Sequence, residues 1–147
     1  MEKTIYRHRQ TGWAVIIAID LTIVLIIVLL AFTEFSWTPV IVACILGLAS
    51  FLFASLTVEI DEEFLTVRFG PGLIRKTIPL RLIVGYQPVR NHWYHGWGIR
   101  KVPGGWMYNV SGLDAVELRL QDGSAFRVGT DDPRGLIEAL QTRLGHL

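Results

Sequence analysis

Two apolar runs with no polar alternation open the chain. Trp13 to Phe32 carries one charge, Asp20, and Pro39 to Leu56 carries none. At 1.5 Å of rise per residue, about 20 residues cross a hydrocarbon core of roughly 30 Å, so each run predicts a membrane-crossing helix. The six residues Thr33 to Thr38 that join them force the helices to lie side by side and antiparallel. The first run exceeds a signal-peptide core and has no small-residue cleavage site before the second begins. Beyond Leu56 the period changes to two. Thr57 to Asp61 and Phe64 to Phe69 alternate about a turn at Glu62-Glu63, a hairpin pattern.

Gly70-Pro71-Gly72 then breaks the chain, Leu73 to Ile78 reads as a strand ending at Pro79, and Leu80 to Val89 as another. Arg90 to Trp106, rich in glycine and aromatic residues, has no clean period and reads as a long loop around a short strand at Ile99 to Val102. Ala115, Glu117 and Arg119 alternate with Val116, Leu118 and Leu120; Asp122-Gly123 is a hairpin turn, and Phe126 and Val128 lie on the returning strand. Thr130 or Asp131 followed by Pro133 starts a helix, Leu136, Ile137, Leu140 and Leu144 form its apolar stripe, and Gly145 stops it. The expected fold class is α+β: a two-helix transmembrane hairpin, then an antiparallel β-barrel or sheet of the PH-like kind capped by a C-terminal helix. The expected divisions are an N-terminal segment at 1–12, the hairpin at 13–56 with spans 13–32 and 39–56, and the domain at 57–147.

Several short stretches carry a resemblance. They are Gly96-Trp97-Gly98-Ile99-Arg100, Tyr108-Asn109-Val110 with Gly112, Ala115-Val116-Glu117-Leu118, Asp122-Gly123, and Gly129-Thr130-Asp131-Asp132-Pro133 with Leu136. Together they resemble small, uncharacterised bacterial membrane proteins that carry a PH-like domain behind a two-helix anchor. The resemblance implies that architecture, a bacterial inner (cytoplasmic) membrane and a cytoplasmic domain. It supplies no catalytic residue to carry over.

Charge adds a topology. Lys3, Arg7 and Arg9 precede the first span, Arg68, Arg75 and Lys76 follow the second, and the connecting segment has no Lys or Arg. The positive-inside bias therefore puts both termini in the cytoplasm. Charge also segregates within the domain: residues 68 to 101 hold Arg68, Arg75, Lys76, Arg81, Arg90, Arg100 and Lys101 and no Asp or Glu. Beside an anionic leaflet each such residue contributes about 1 kcal/mol. The candidate membrane or ligand surface is thus Arg75, Lys76, Arg81, Arg90, Arg100 and Lys101, with Trp93, Tyr94 and Trp97 in the headgroup layer. A solvated basic face with ordinary core tryptophans is the plainer alternative.

Within the spans, Ala43, Gly47, Ser50 and Ala54 make a small-residue face, and Ala14, Ala18 and Thr22 a comparable one. Small faces let helices approach closely in lipid, here for packing the two spans together or for self-association. Asp20 is the costly intramembrane polar residue and needs a partner or a cavity. The chain has one cysteine, Cys44, so no intrachain disulfide forms. His92 and His95 fall short of the three or four ligands a zinc site takes. No phosphate loop, nucleophile elbow or paired-carboxylate motif occurs, so no catalytic residue, cofactor or metal is expected. No nucleic-acid partner is expected either, because the domain from Thr57 holds eleven basic against ten acidic residues and no binding motif. The expectation is a non-catalytic binding or scaffold module at the lipid bilayer, with an anionic lipid headgroup as its candidate ligand. An adaptor for protein partners or an accessory subunit of a larger membrane complex is the alternative, and an enzyme of unknown class the remotest one.

Overall fold

A computed structural model describes residues 4–145. The chain begins with a strand, β1 (Tyr6–Thr11), followed by helices α1 (Trp13–Ala31) and α2 (Trp37–Phe53). Then come β2 (Ser55–Ile60), β3 (Phe64–Phe69), β4 (Ile74–Pro79), β5 (Ile83–Arg90), β6 (Gly98–Val102), β7 (Gly105–Asn109), β8 (Asp114–Leu120), β9 (Ala125–Gly129) and α3 (Pro133–Leu144). The architecture is α+β: two apolar helices, two sheets and a C-terminal helix.

The strand β1 was not anticipated in residues 1–12. It pairs antiparallel with β2 from Tyr6↔Ile60 to Thr11↔Ser55, and Gly12 N–H donates to Ala54 O at 2.8 Å just beyond. The helical pair is therefore looped out of a β-hairpin whose two strands close beneath it. Ser55 and Leu56, expected in the second apolar span, instead open β2, and Leu56 is buried in the core. α2 starts earlier than expected, at Trp37, with Ser36 Oγ accepting from Thr38 N–H. Among the described helices only α1 is both at least 18 residues long and strongly apolar; α2 has 17 residues.

The two helices meet along one seam. Ile16, Ile19, Ile23, Ile26 and Leu30 of α1 are half-buried, as are Val40, Ala43, Leu46, Ser50 and Phe53 of α2. The three-and-four spacing is that of an antiparallel pair packed nearly side by side. The small-residue face enters this seam only in part. Gly47 is exposed, and a Cβ built on it meets nothing within 4 Å. Ala18 and Thr22 are exposed as well, and Thr22 Oγ1 donates to Ala18 O. Large aliphatic side chains, not the glycine face, hold the pair together. Most of the remaining apolar surface is bare: neither helix has a fully buried residue.

The first sheet has the order β1-β2-β3-β4 and the second β5-β8-β9-β7-β6. The described residues form nine strands, and one pair departs from the expected antiparallel arrangement: β7 and β9 run parallel. The reason is topological. β8 and β9 form a hairpin, so β9 returns in the direction of β7, and it slots between β8 and β7. Leu56, Val58, Ile60, Leu65, Val67 and Phe69 from the first sheet face Val116, Leu118, Phe126 and Val128 from the second. α3 closes one end of this core with Leu136 and Leu140. The helix starts at Pro133 as expected, but Asp132, not Thr130 or Asp131, is the cap, and its Oδ1 accepts from Gly135 N–H at 3.0 Å. Asp132 also receives the Tyr6 hydroxyl at 3.2 Å, and His8 contacts Asp131, so β1 is tied to the start of α3. Burial first, then Asp132 and Asp131, push the Tyr6 hydroxyl well above the ordinary phenol range.

Candidate functional site

Strand pairing fixes which end of the domain adjoins the helices. Thr11, Ser55, Phe69 and Ile74 lie at the helix end of the first sheet, because Thr11 pairs Ser55, Leu56 pairs Phe69 and Phe69 pairs Ile74. The opposite end carries the Glu62-Glu63 turn and Pro79, about 17 Å away at 3.3 Å per strand residue. In the second sheet β6 is the edge beside the helices. Trp97, Gly98, Ile99 and Arg100 line a cleft of about 300 Å³ together with Val15 of the first turn of α1 and Phe53, the last residue of α2. The β3–β4 turn presses on the same place, since a Cβ on Gly70 would sit 2.6 Å from Leu52 O. Leu73, which ends that turn, is 78% exposed.

This frame sorts the predicted surface residues. Arg75, Trp97 and Arg100 come to the helix side, near the start of β4, just before β6 and on β6, whereas Lys76 and Lys101 lie further along those strands, Lys101 opposite Trp106. Arg100 is braced there, its Nε donating to Trp97 O at 3.0 Å. Arg81 does not join them. It sits in the short 3-10 turn after Pro79, beside Glu62 and Glu63 at the far end, in a second cleft of about 390 Å³. Arg90 is likewise remote: it ends β5, the opposite edge of the second sheet from β6, and pairs in register with Asp114. Four strand spacings separate these edges, about 19 Å at 4.8 Å each. Arg90 and Arg100 therefore do not share one concavity. Arg68 is neutralised by Glu59 at 2.9 Å, and the same carboxylate holds Arg7 at 3.0 Å.

Trp93 and Tyr94 occupy the loop that carries the chain from β5 to β6. His92 stacks on Tyr94 with ring centroids 5.0 Å apart, and Trp93 is 80% exposed. The loop is anchored by Asn91, whose N–H donates to Leu113 O and whose Oδ1 accepts from Arg127 Nη1 at 3.1 Å. Arg127 Nε in turn donates to Glu117 Oε2 at 2.7 Å, and Gln87 Nε2 to Glu117 Oε1 at 3.3 Å. Both partners of this ion pair are largely buried, at 16% and 12% side-chain exposure. Arg127→Met leaves the Glu117 carboxylate buried with only Gln87. It is expected to cost about 3 kcal/mol and to loosen the aromatic loop, read as a lower unfolding midpoint and faster amide exchange at 92–96. Glu117→Gln with Arg127→Met, which removes both charges, is expected to recover most of that loss.

His92 and His95 approach with ring centroids 5.6 Å apart, but among the described residues no group of three His, Cys, Asp or Glu side chains gathers for a metal. Asp20 lies on the exposed side of α1, off the helix seam, and the neighbouring Thr22 hydroxyl is engaged by Ala18 O. Three exposed apolar residues carry no sequence signal as a group: Leu73, Ile99 and Trp106. Trp106 and Ile99 line a third cleft, about 340 Å³, with Lys76, Tyr108, Leu120 and Phe126. Adjacency in the chain does not predict it, because its walls come from five strands and one turn. No family model matches this chain, and no curated protein is similar to it in sequence.

Proposed function

We propose that the chain is a two-pass membrane protein whose helices α1 and α2 span the bilayer and hold a PH-like, non-catalytic binding module against the cytoplasmic leaflet. One observation carries this reading. The apolar helices leave from a closed strand pair, and the rim around that exit bears Leu73, Trp97 and Ile99 together with Arg75 and Arg100. Indole and aliphatic groups favour the headgroup boundary, and cations favour an anionic leaflet. α2 is about 25 Å long at 1.5 Å per residue, and local thinning of the bilayer accommodates so small a deficit. Two packed sheets with a helix over one end support the PH-like reading, and the resemblance noted above supports a bacterial inner membrane with both termini in the cytoplasm. Protein partners and self-association through Ala43, Gly47, Ser50 and Ala54 remain secondary readings; the exposed Gly47 is what favours the latter.

The test uses full-length protein in phosphatidylglycerol-containing liposomes, with Cys44→Ala and one new cysteine carrying a fluorophore. Labels at Leu73→Cys and Arg100→Cys are expected to be quenched by a lipid-phase quencher, and labels at Glu62→Cys and Arg81→Cys by an aqueous one only. Equal aqueous access at all four positions would sink the proposal.

A further inference from the structure

The cleft between β4 and the second sheet is separate from the helix-base cleft and shares only Ile99 with it. Its volume, about 340 Å³, falls in the range of small-ligand pockets. Ile99, Trp106, Tyr108, Leu120 and Phe126 make its walls apolar, and Lys76 is the single charged residue of its lining. Lys101 pairs in register with Trp106, so its side chain leaves β6 on the same face of the sheet. No Asp or Glu occurs between Arg68 and Lys101, so neither strand supplies a counter-charge. Asp122, two residues before Ser124 of the lining, accepts from the Ser124 hydroxyl and N–H. Trp106 remains 52% exposed, with its wall uncovered by any described part of the chain.

An apolar trough with cations beside it is complementary to an anionic amphiphile: the trough takes the hydrocarbon and the ammonium groups take the head. The location identifies the source. Ile99 lines both this cleft and the one at the helix base with Val15 and Phe53. A lipid beside the helix pair thus reaches the cleft along β6. We propose that the cleft takes one acyl chain of an anionic phospholipid from the adjacent leaflet, with the phosphate beside Lys76 and Lys101. This deepens the membrane-facing reading and rests on it.

The probe is phosphatidylglycerol brominated on one acyl chain, compared with brominated phosphatidylcholine at equal mole fraction. The reporter is full-length protein in liposomes with Trp13, Trp37, Trp93 and Trp97 each changed to Phe, leaving Trp106. Brominated phosphatidylglycerol is expected to quench Trp106 more strongly than brominated phosphatidylcholine. Lys76→Ala is expected to lower that preference about fivefold, one charge near the surface being worth about 1 kcal/mol. Arg75→Ala, which removes the same charge from the outer face of the same strand, is expected to leave it nearly unchanged. Equal effects of the two substitutions reduce the preference to diffuse attraction and overturn the proposal. So does quenching only by a free brominated fatty acid. An unquenched Trp106 with the Leu73→Cys label still at the headgroups overturns the cleft assignment and leaves apposition standing; loss of both removes apposition itself.

Discussion

Replacing residues 13–53 with Asn-Gly is expected to give a chain that keeps both sheets and stays in solution without detergent, which the full-length chain is expected not to do. The geometry for this excision is present. Thr11 pairs Ser55, and Gly12 N–H already bonds Ala54 O at 2.8 Å, so the two chain ends stand as close as the flanks of a two-residue hairpin. Asn-Gly supplies the two left-handed residues that such a turn demands. The excised helices bury no side chain completely and bring a mean hydropathy of 3.1 in α1, so their removal strips apolar surface and little core. Truncation at residue 57 is expected to behave in the opposite way. It deletes β1, takes the buried Ser55 and Leu56 from β2, and exposes the backbone of β2 as a new edge. A naked edge of that kind templates aggregation. Size-exclusion chromatography without detergent, with circular dichroism of both chains, separates the outcomes. A soluble, folded 57–147 fragment would show that β1 is dispensable and that the hairpin is an appendage and not an insertion.

The second large effect is expected at Gly105. A Cβ there would lie 1.6 Å from the Ala125 carbonyl oxygen, inside any tolerable contact, and the obstacle is backbone and cannot swing aside. Gly105 opens β7 at the point where it meets β9, so Gly105→Ala must push the two strands apart along the parallel pair Gly105↔Ala125 to Tyr108↔Val128. The expected loss is about 4 kcal/mol or more, in the exceptional tail of point substitutions. Trp106 and Tyr108 shift with the strand, so near-ultraviolet circular dichroism registers the change along with thermal unfolding. Gly85→Ala in the same sheet is the control. Its nearest neighbours are Arg119 side-chain atoms at 3.8 Å, an ordinary contact, and its effect is expected to stay within about 0.5 kcal/mol. If both substitutions behave alike, β7 and β9 are not held at the separation described.

What the sequence discloses divides along the range of the interactions. The β8–β9 hairpin is legible because its information is local: alternation from Ala115 to Leu120, then Asp122-Gly123 with Gly123 at φ 82°. α3 is legible for the same reason, from Pro133, the stripe at Leu136 and Leu140, and Gly145. β1 is hidden. Tyr6-Arg7-His8-Arg9-Gln10-Thr11 has no apolar alternation, because it is an edge strand whose buried face holds Gln10 and the Tyr6 ring and whose partner lies beyond the helices. β7 is hidden as well, since Gly105-Trp106-Met107 owes its strand character to β6 and to a β9 that comes twenty residues later. The surface residues follow the same rule. Arg100 and Lys101 are neighbours on β6 but leave it on opposite faces, and Arg81 and Arg90 are drawn to the far end and the far edge by strand order.

Gripping both ends of the helical pair in a single ladder has a mechanical outcome. A domain hung on one flexible linker swivels and samples every heading; this one is clamped at two points, Gly12 and Ala54, that are themselves bonded to each other. Tilt or scissoring of α1 against α2 therefore has no slack to be lost in, and passes as shear straight into the β1–β2 pair and, through Tyr6 and His8, onward to the start of α3.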